Sequence, residues 1–110
     1  MDMGVNRFEV WLVNLDPTIG SEISKTRPCV VISPDETNKY LKTVTIAALT
    51  SSQKTYPTRV NCMFKGKAGQ IALDQIRSVD KMRLEKKLGK LDTTTAQLIC
   101  EKMQSLFSYI

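Results

Sequence analysis

The chain has 110 residues, 42% of them apolar and 25% charged, with a formal net charge of +5 at neutral pH, which is room for one domain, 1–110, with one modest core. No apolar run approaches the roughly 18 residues that span a bilayer, and Met1–Asn6 lacks the basic-then-apolar pattern of a secretory leader, so the expected location is the cytoplasm, away from membranes. Histidine is absent, and Cys29, Cys62 and Cys100 stand apart among apolar neighbours, which excludes zinc fingers, His-based metalloenzymes and Ser-His or Cys-His nucleophiles.

The positive charge is local. Residues 59–90 carry nine Lys/Arg against three Asp/Glu, while the remainder carries seven against eight. Such a strip suits an acidic protein segment or a nucleic-acid backbone, although a basic run alone is as often a solvated surface. Gly66 and Gly69 lack the rest of any phosphate-loop pattern.

In chain order, Phe8–Val13 alternates as a strand with one face in the core and Trp11 half-covered on the other. Asp16-Pro17 turns the chain into a polar loop through Gly20, Ser21 and Glu22, and the chain re-enters a strand over Arg27–Ser33. Arg27 therefore stands at the mouth of that loop, the usual way in which a rigid scaffold offers an anion-binding side chain. Pro34–Asn38 reads as a turn or one short helical turn, Thr43–Leu49 as a third strand ending in the hydroxyl cluster Thr50-Ser51-Ser52, and Gln53–Thr58 as a mobile polar segment. Arg59–Phe64 is a fourth strand, Lys65–Gly69 a turn and Gln70–Arg77 a fifth strand. After a turn at Asp80–Arg83, Leu84–Leu91 adds a short strand with a basic outer face.

Asp92-Thr93-Thr94 offers a helix N-cap, with Thr94 and Gln97 at capping-box spacing. Ala96, Ile99, Met103, Leu106 and Ile110 then share one helical face, with Leu98 and Phe107 beside it. The fold class is α+β, mainly β: a small, strongly curved sheet carrying a C-terminal helix.

Three residues carry candidate chemistry. Arg27 has a planar fork able to grip two phosphate oxygens. Glu22 is the candidate proton acceptor, or the group that orients the guanidinium. Thr50 places a hydroxyl at the end of the third strand, and as an isolated residue it is more often a turn former bound to its own backbone. Around them, Tyr56 is the candidate base-stacking residue, with Lys54 and Arg59 placed to follow phosphates. Phe8, Trp11 and Phe64 are core candidates first.

Read together, Trp11-Leu12-Val13 with Leu15-Asp16-Pro17-Thr18, Gly20-Ser21-Glu22, Thr26-Arg27-Pro28, Val30-Val31-Ile32-Ser33-Pro34, Thr50, and Leu73–Lys81 with Arg83-Leu84 resemble the MazF/PemK family of toxin endoribonucleases. The resemblance covers almost the whole chain. It implies an SH3-like barrel, a homodimer, and cleavage of single-stranded mRNA at a preferred sequence, without metal or cofactor, to 2′,3′-cyclic phosphate and 5′-hydroxyl ends. Translation and growth would stop as a result. It also implies an acidic, MazE-type antitoxin whose disordered tail covers the RNA groove. The resemblance assigns Arg27 to the leaving-group side and makes Thr50 catalytic. Ser21 is expected to touch phosphate, Gln75 to contact RNA and Asp74 to be structural or secondary; Thr26, Ser51, Ser52 and Arg77 complete the RNA-contacting set. Some relatives carry histidine where Ser21 stands. One branch has a catalytic arginine where this chain has Ala72, so that role is not carried over. Two other readings remain: a non-catalytic gyrase poison resembling CcdB, whose terminal Trp-Gly-Ile differs from Phe107-Ser108-Tyr109-Ile110 here, and a passive RNA-binding barrel.

Overall fold

The computed structural model describes residues 4–109. Its strands are β1 (Glu9–Asn14), β2 (Thr26–Val31), β3 (Thr43–Thr50), β4 (Arg59–Phe64), β5 (Lys67–Ala72), β6 (Arg77–Asp80) and β7 (Leu84–Lys90), with a short helix α1 (Asp35–Tyr40) and a long one, α2 (Thr93–Phe107). All strand pairs are antiparallel, and the sheet runs β4-β5-β3-β2-β1-β7, with β6 also on β3. The sheet curls into a half-barrel. Its curl brings the end of β4 against β7: a Cβ added at Gly89 would lie 3.2 Å from the Phe64 ring, so glycine is what permits the approach.

The curl buries both faces. On one side Trp11, Val13, Cys29, Val31, Ile46 and Leu84 pack together; on the other Val10, Val30, Ala47, Val60 and Ile71 pack under Ile99 of α2. Each fully buried Val or Ile contributes about 1.5–3 kcal/mol of transfer free energy, and β-branched residues at alternating positions supply both layers. Because β1 lies between the layers, Trp11 is 7% exposed, not half-covered. Its Nε1 donates to Glu9 Oε1 at 3.1 Å, and Lys87 Nζ meets the same buried carboxylate at 2.7 Å. Burial opposes ionisation of Glu9, yet the bonds from Lys87, the Asn6 amide and Trp11 hold its carboxyl below the usual carboxylate value.

Two expectations change. The stretch 70–77 is not one strand: β5 ends at Ala72, a 3-10 turn spans Leu73–Gln75, and β6 begins at Arg77. The reason is the length of β3. Its first half pairs with β6 and its last residues, Leu49 and Thr50, pair with β5, so the chain shifts between the two through a turn anchored by buried Leu73, whose amide donates to Thr58 O. That turn lifts Asp74 and Gln75 out of the ladder. Likewise, α2 is capped by Asp92, whose carboxylate accepts from Thr95 N and Thr95 Oγ1, rather than by the Thr94–Gln97 box. Ala96 and Ile99 are buried, Met103 and Leu106 pack at the margin, and Leu98 and Phe107 are exposed; Ile110 lies outside the described residues.

Candidate functional site

β2 and β3 pair with Cys29 opposite Ala48 and Val31 opposite Ile46. Continuing that register by two residues sets Arg27 opposite Thr50, on the same face, because side chains alternate along a strand. The two residues do share a cleft. Arg27, Thr50 and Ser51 line it together with Pro28, Leu49, Cys62 and Lys67, around a volume of about 250 Å³. The Nε of Arg27 donates to Ser24 O at 2.8 Å, and no carboxylate among the described residues forms an ion pair with its guanidinium. Its outer nitrogens are thus left for a ligand.

Thr50 Oγ1 accepts the amide of Ser52 at 3.1 Å, the local turn that an isolated Thr-Ser-Ser leads one to expect. That bond uses a lone pair and leaves the hydroxyl proton to donate. β5 fixes the backbone here. Gly69 passes so near that a Cβ on it would lie 3.0 Å from the Thr50 carbonyl oxygen. The thiolate form is disfavoured at both nearby cysteines: burial pushes Cys29 up to about 12 against the pull of Arg77 and Arg27, and burial followed by Asp92 raises Cys62.

Glu22 does not join Arg27 and Thr50 in that cleft. It lines a separate pocket with Ser21, Gln75 and Arg77, and its Oε1 accepts the Ile19 amide at 2.5 Å, closing the 19–22 turn. Its second oxygen has no bond among the described residues. Several side chains expected on RNA instead hold this loop. Gln75 Oε1 accepts from Ile23 N at 2.7 Å and its Nε2 reaches Ser21 O, while Arg77 Nη1 donates to Leu15 O at 3.0 Å. Asp16 Oδ1 accepts the Lys25 amide, and Arg83 bonds the carbonyls of Asn14 and Asp16. Thr26 and Ser21 remain exposed.

Every residue of the segment after Thr50, from Ser51 to Pro57, is exposed. Arg59 is not an open phosphate contact. Its Nε meets Asp74 Oδ1 at 2.8 Å, its side chain is 7% exposed, and its guanidinium lies 5.4 Å from the centre of the Tyr56 ring. Asp74 also accepts from Thr58 Oγ1, and the Arg59 bond outweighs burial to hold its carboxyl low. Asp74 thus ties Thr58 and Arg59 together at the end of this segment. Sequence reading passed over Gln70, a buried amide on β5 that bonds Lys54 N, Lys54 O and Asn61 Oδ1. A polar residue amid Ile71, Ala72 and Leu73 was the available signal.

The curled sheet with its C-terminal helix is a MazF-like fold: MazF of Deinococcus radiodurans superposes with a TM-score of 0.83 at 26% identity, over 96% of this chain and 97% of that one. Residues 6–107 match the family described as PemK-like, MazF-like toxin of type II toxin-antitoxin systems, and the chain belongs to that family. A MazE-MazF complex from the same bacterium contains a chain that matches at 26% identity and TM-score 0.78, covering 96% of both chains. A mycobacterial endoribonuclease in complex with its cognate antitoxin shares the fold at 21% identity and TM-score 0.79, over 96% of this chain and 99% of that one.

Proposed function

We propose that this chain is the toxin of a type II toxin-antitoxin pair and cleaves single-stranded mRNA by attack of a 2′-hydroxyl on the adjacent phosphorus. The bond from O2′ to phosphorus forms as the bond to O5′ breaks, leaving a 2′,3′-cyclic phosphate and a 5′-hydroxyl. The observation that carries this reading is a cleft lined by both Arg27, whose guanidinium forms no ion pair among the described residues, and Thr50, whose hydroxyl keeps a proton to donate. Arg27 stabilises charge on the phosphorane oxygens and on the leaving oxygen. A guanidinium keeps its protons in proteins, so the 5′ oxygen takes its proton from solvent in the open cleft. Thr50 donates to a non-bridging oxygen. Glu22, with one carboxylate oxygen unbonded, receives the 2′-hydroxyl proton as the substrate spans the two pockets. Ser21, Thr26, Ser51, Ser52, Lys54 and Tyr56 line the RNA path, and Gln75, Arg77 and Arg59 shape it from behind.

In this reading the chain works in the cytoplasm as a homodimer and needs no metal. Exposed Lys86 and Lys90 on β7 suit an acidic antitoxin tail. Long single-stranded RNA incubated in EDTA with wild type and with Arg27→Ala, cut ends mapped by primer extension, tests the chemistry. Discrete cuts by wild type alone, at a recurring short sequence and with cyclic-phosphate ends, are expected. Intact RNA with folded wild type would overturn the ribonuclease and bring the gyrase-poison or RNA-binding reading forward.

A further inference from the structure

We infer that Gln70 is the positioning residue that sets RNA sequence discrimination, by clamping the loop 51–58 to β5; the inference rests on the ribonuclease reading above. Gln70 is 4% exposed, and its amide makes three bonds: Oε1 accepts Lys54 N at 3.0 Å, and Nε2 donates to Lys54 O at 2.9 Å and to Asn61 Oδ1 at 2.9 Å. A side-chain amide that accepts from the N–H and donates to the C=O of one residue pairs with it as a neighbouring strand would. Among the described residues no other hydrogen bond reaches 53–55.

The clamp is tied to the cleft through the sheet. The backbone of Gln70 stands opposite Thr50 in the β3–β5 pairing, and its neighbour Gly69 is packed against the Thr50 carbonyl. One strand thus fixes both the catalytic hydroxyl and, through Gln70, the place of Lys54 and the exposed ring of Tyr56 four and six residues on. Single-stranded RNA is read by splayed bases stacked on aromatic rings and bonded at their edges, so the position of such a loop decides which bases fit.

Gln70→Glu is the sharpest test, because it keeps the shape and the acceptor but removes both donated bonds. An ionised carboxylate there faces two oxygen acceptors; a protonated one restores one of the two donated bonds, and burial favours protonation as the pH falls. Cut sites on a randomised single-stranded RNA are sequenced at pH 8 and pH 5. At pH 8 we expect the preference of the variant for the wild-type site over its single-base changes to fall by tenfold or more, while the rate at saturating RNA stays within about threefold. At pH 5 that preference returns, and wild type discriminates equally at both. Lys54→Pro removes the donated amide from the exposed side, without touching the core, and is expected to lose discrimination at both pH values. Wild-type discrimination in both variants at pH 8 would overturn the inference. Failure of wild type itself to cut overturns the ribonuclease reading instead, and is read from wild type alone.

Discussion

The two loops that flank the Arg27/Thr50 cleft are held in opposite ways. Residues 15–25 are laced by side chains from several places: Gln75 on Ile23, Arg77 on Leu15, Arg83 on Asn14 and Asp16, and Asp16 on Lys25. Residues 51–58 hang at their middle on the single amide of Gln70 and at their end on Asp74 with Arg59. The first loop is held at several points at once. The second has one support in its middle, Gln70, and others only at its two ends. Polar residues around a cleft thus divide into those that hold the walls and those left open for a ligand, and the proposed chemistry falls to the second kind, Arg27 foremost.

That division is broken most directly at Arg27. Arg27→Ala is expected to lower the cleavage rate by on the order of hundred-fold or more, with the melting temperature nearly unchanged, because its side chain makes one bond to Ser24 O and no ion pair. A large drop in melting temperature would instead make Arg27 a member of the wall. Glu22→Gln comes next and separates two roles that one residue combines. Glutamine still accepts the Ile19 amide, so the loop keeps its turn; the proton acceptor is lost. The expected rate loss is about hundred-fold, the lower range for a positioned base, with unchanged melting, and a rate within threefold of wild type would reduce Glu22 to a brace. Thr50→Val removes one donated bond to the phosphate and is expected to slow single-turnover cleavage by about tenfold.

Much of this was legible in the sequence. The strands, the C-terminal helix and the loop that leads to Arg27 follow from alternation, helical spacing and turn residues. What did not show was which polar side chains are consumed internally. Arg59, Arg77 and Gln75 look like RNA contacts from their charge and position, yet their partners lie 15, 62 and 52 residues away in sequence; pairings at that distance are set by strand register, which one sequence does not display. Gln70 escaped for the converse reason. Its neighbours mark it as part of a buried strand, and a buried amide is meaningful only once its three partners are known. The break at Leu73–Gln75 depends likewise on β3 being long enough to pair with two strands in turn.

The smallest effect concerns the end support of the second loop and is read as pH dependence. Arg59 holds the Asp74 carboxyl below its ordinary value of 3.8, against the opposing effect of burial. A carboxyl whose folded value is depressed contributes stability that is present in full above its unfolded value and is lost as the pH falls through the folded one. Asp74→Asn keeps an acceptor for Thr58 but not the charge. Its melting temperature is expected to sit below that of wild type at about pH 6 by an amount worth about 1 kcal/mol or less, as for a partly exposed ion pair, and the gap should close as the pH drops below about 4. Glu9, also held low, weakens both proteins alike in that range and so leaves the difference intact. A gap that stays constant from pH 6 to acid would mean that it does not arise from the charge on Asp74, and that the ion pair with Arg59 adds nothing to the support of the loop.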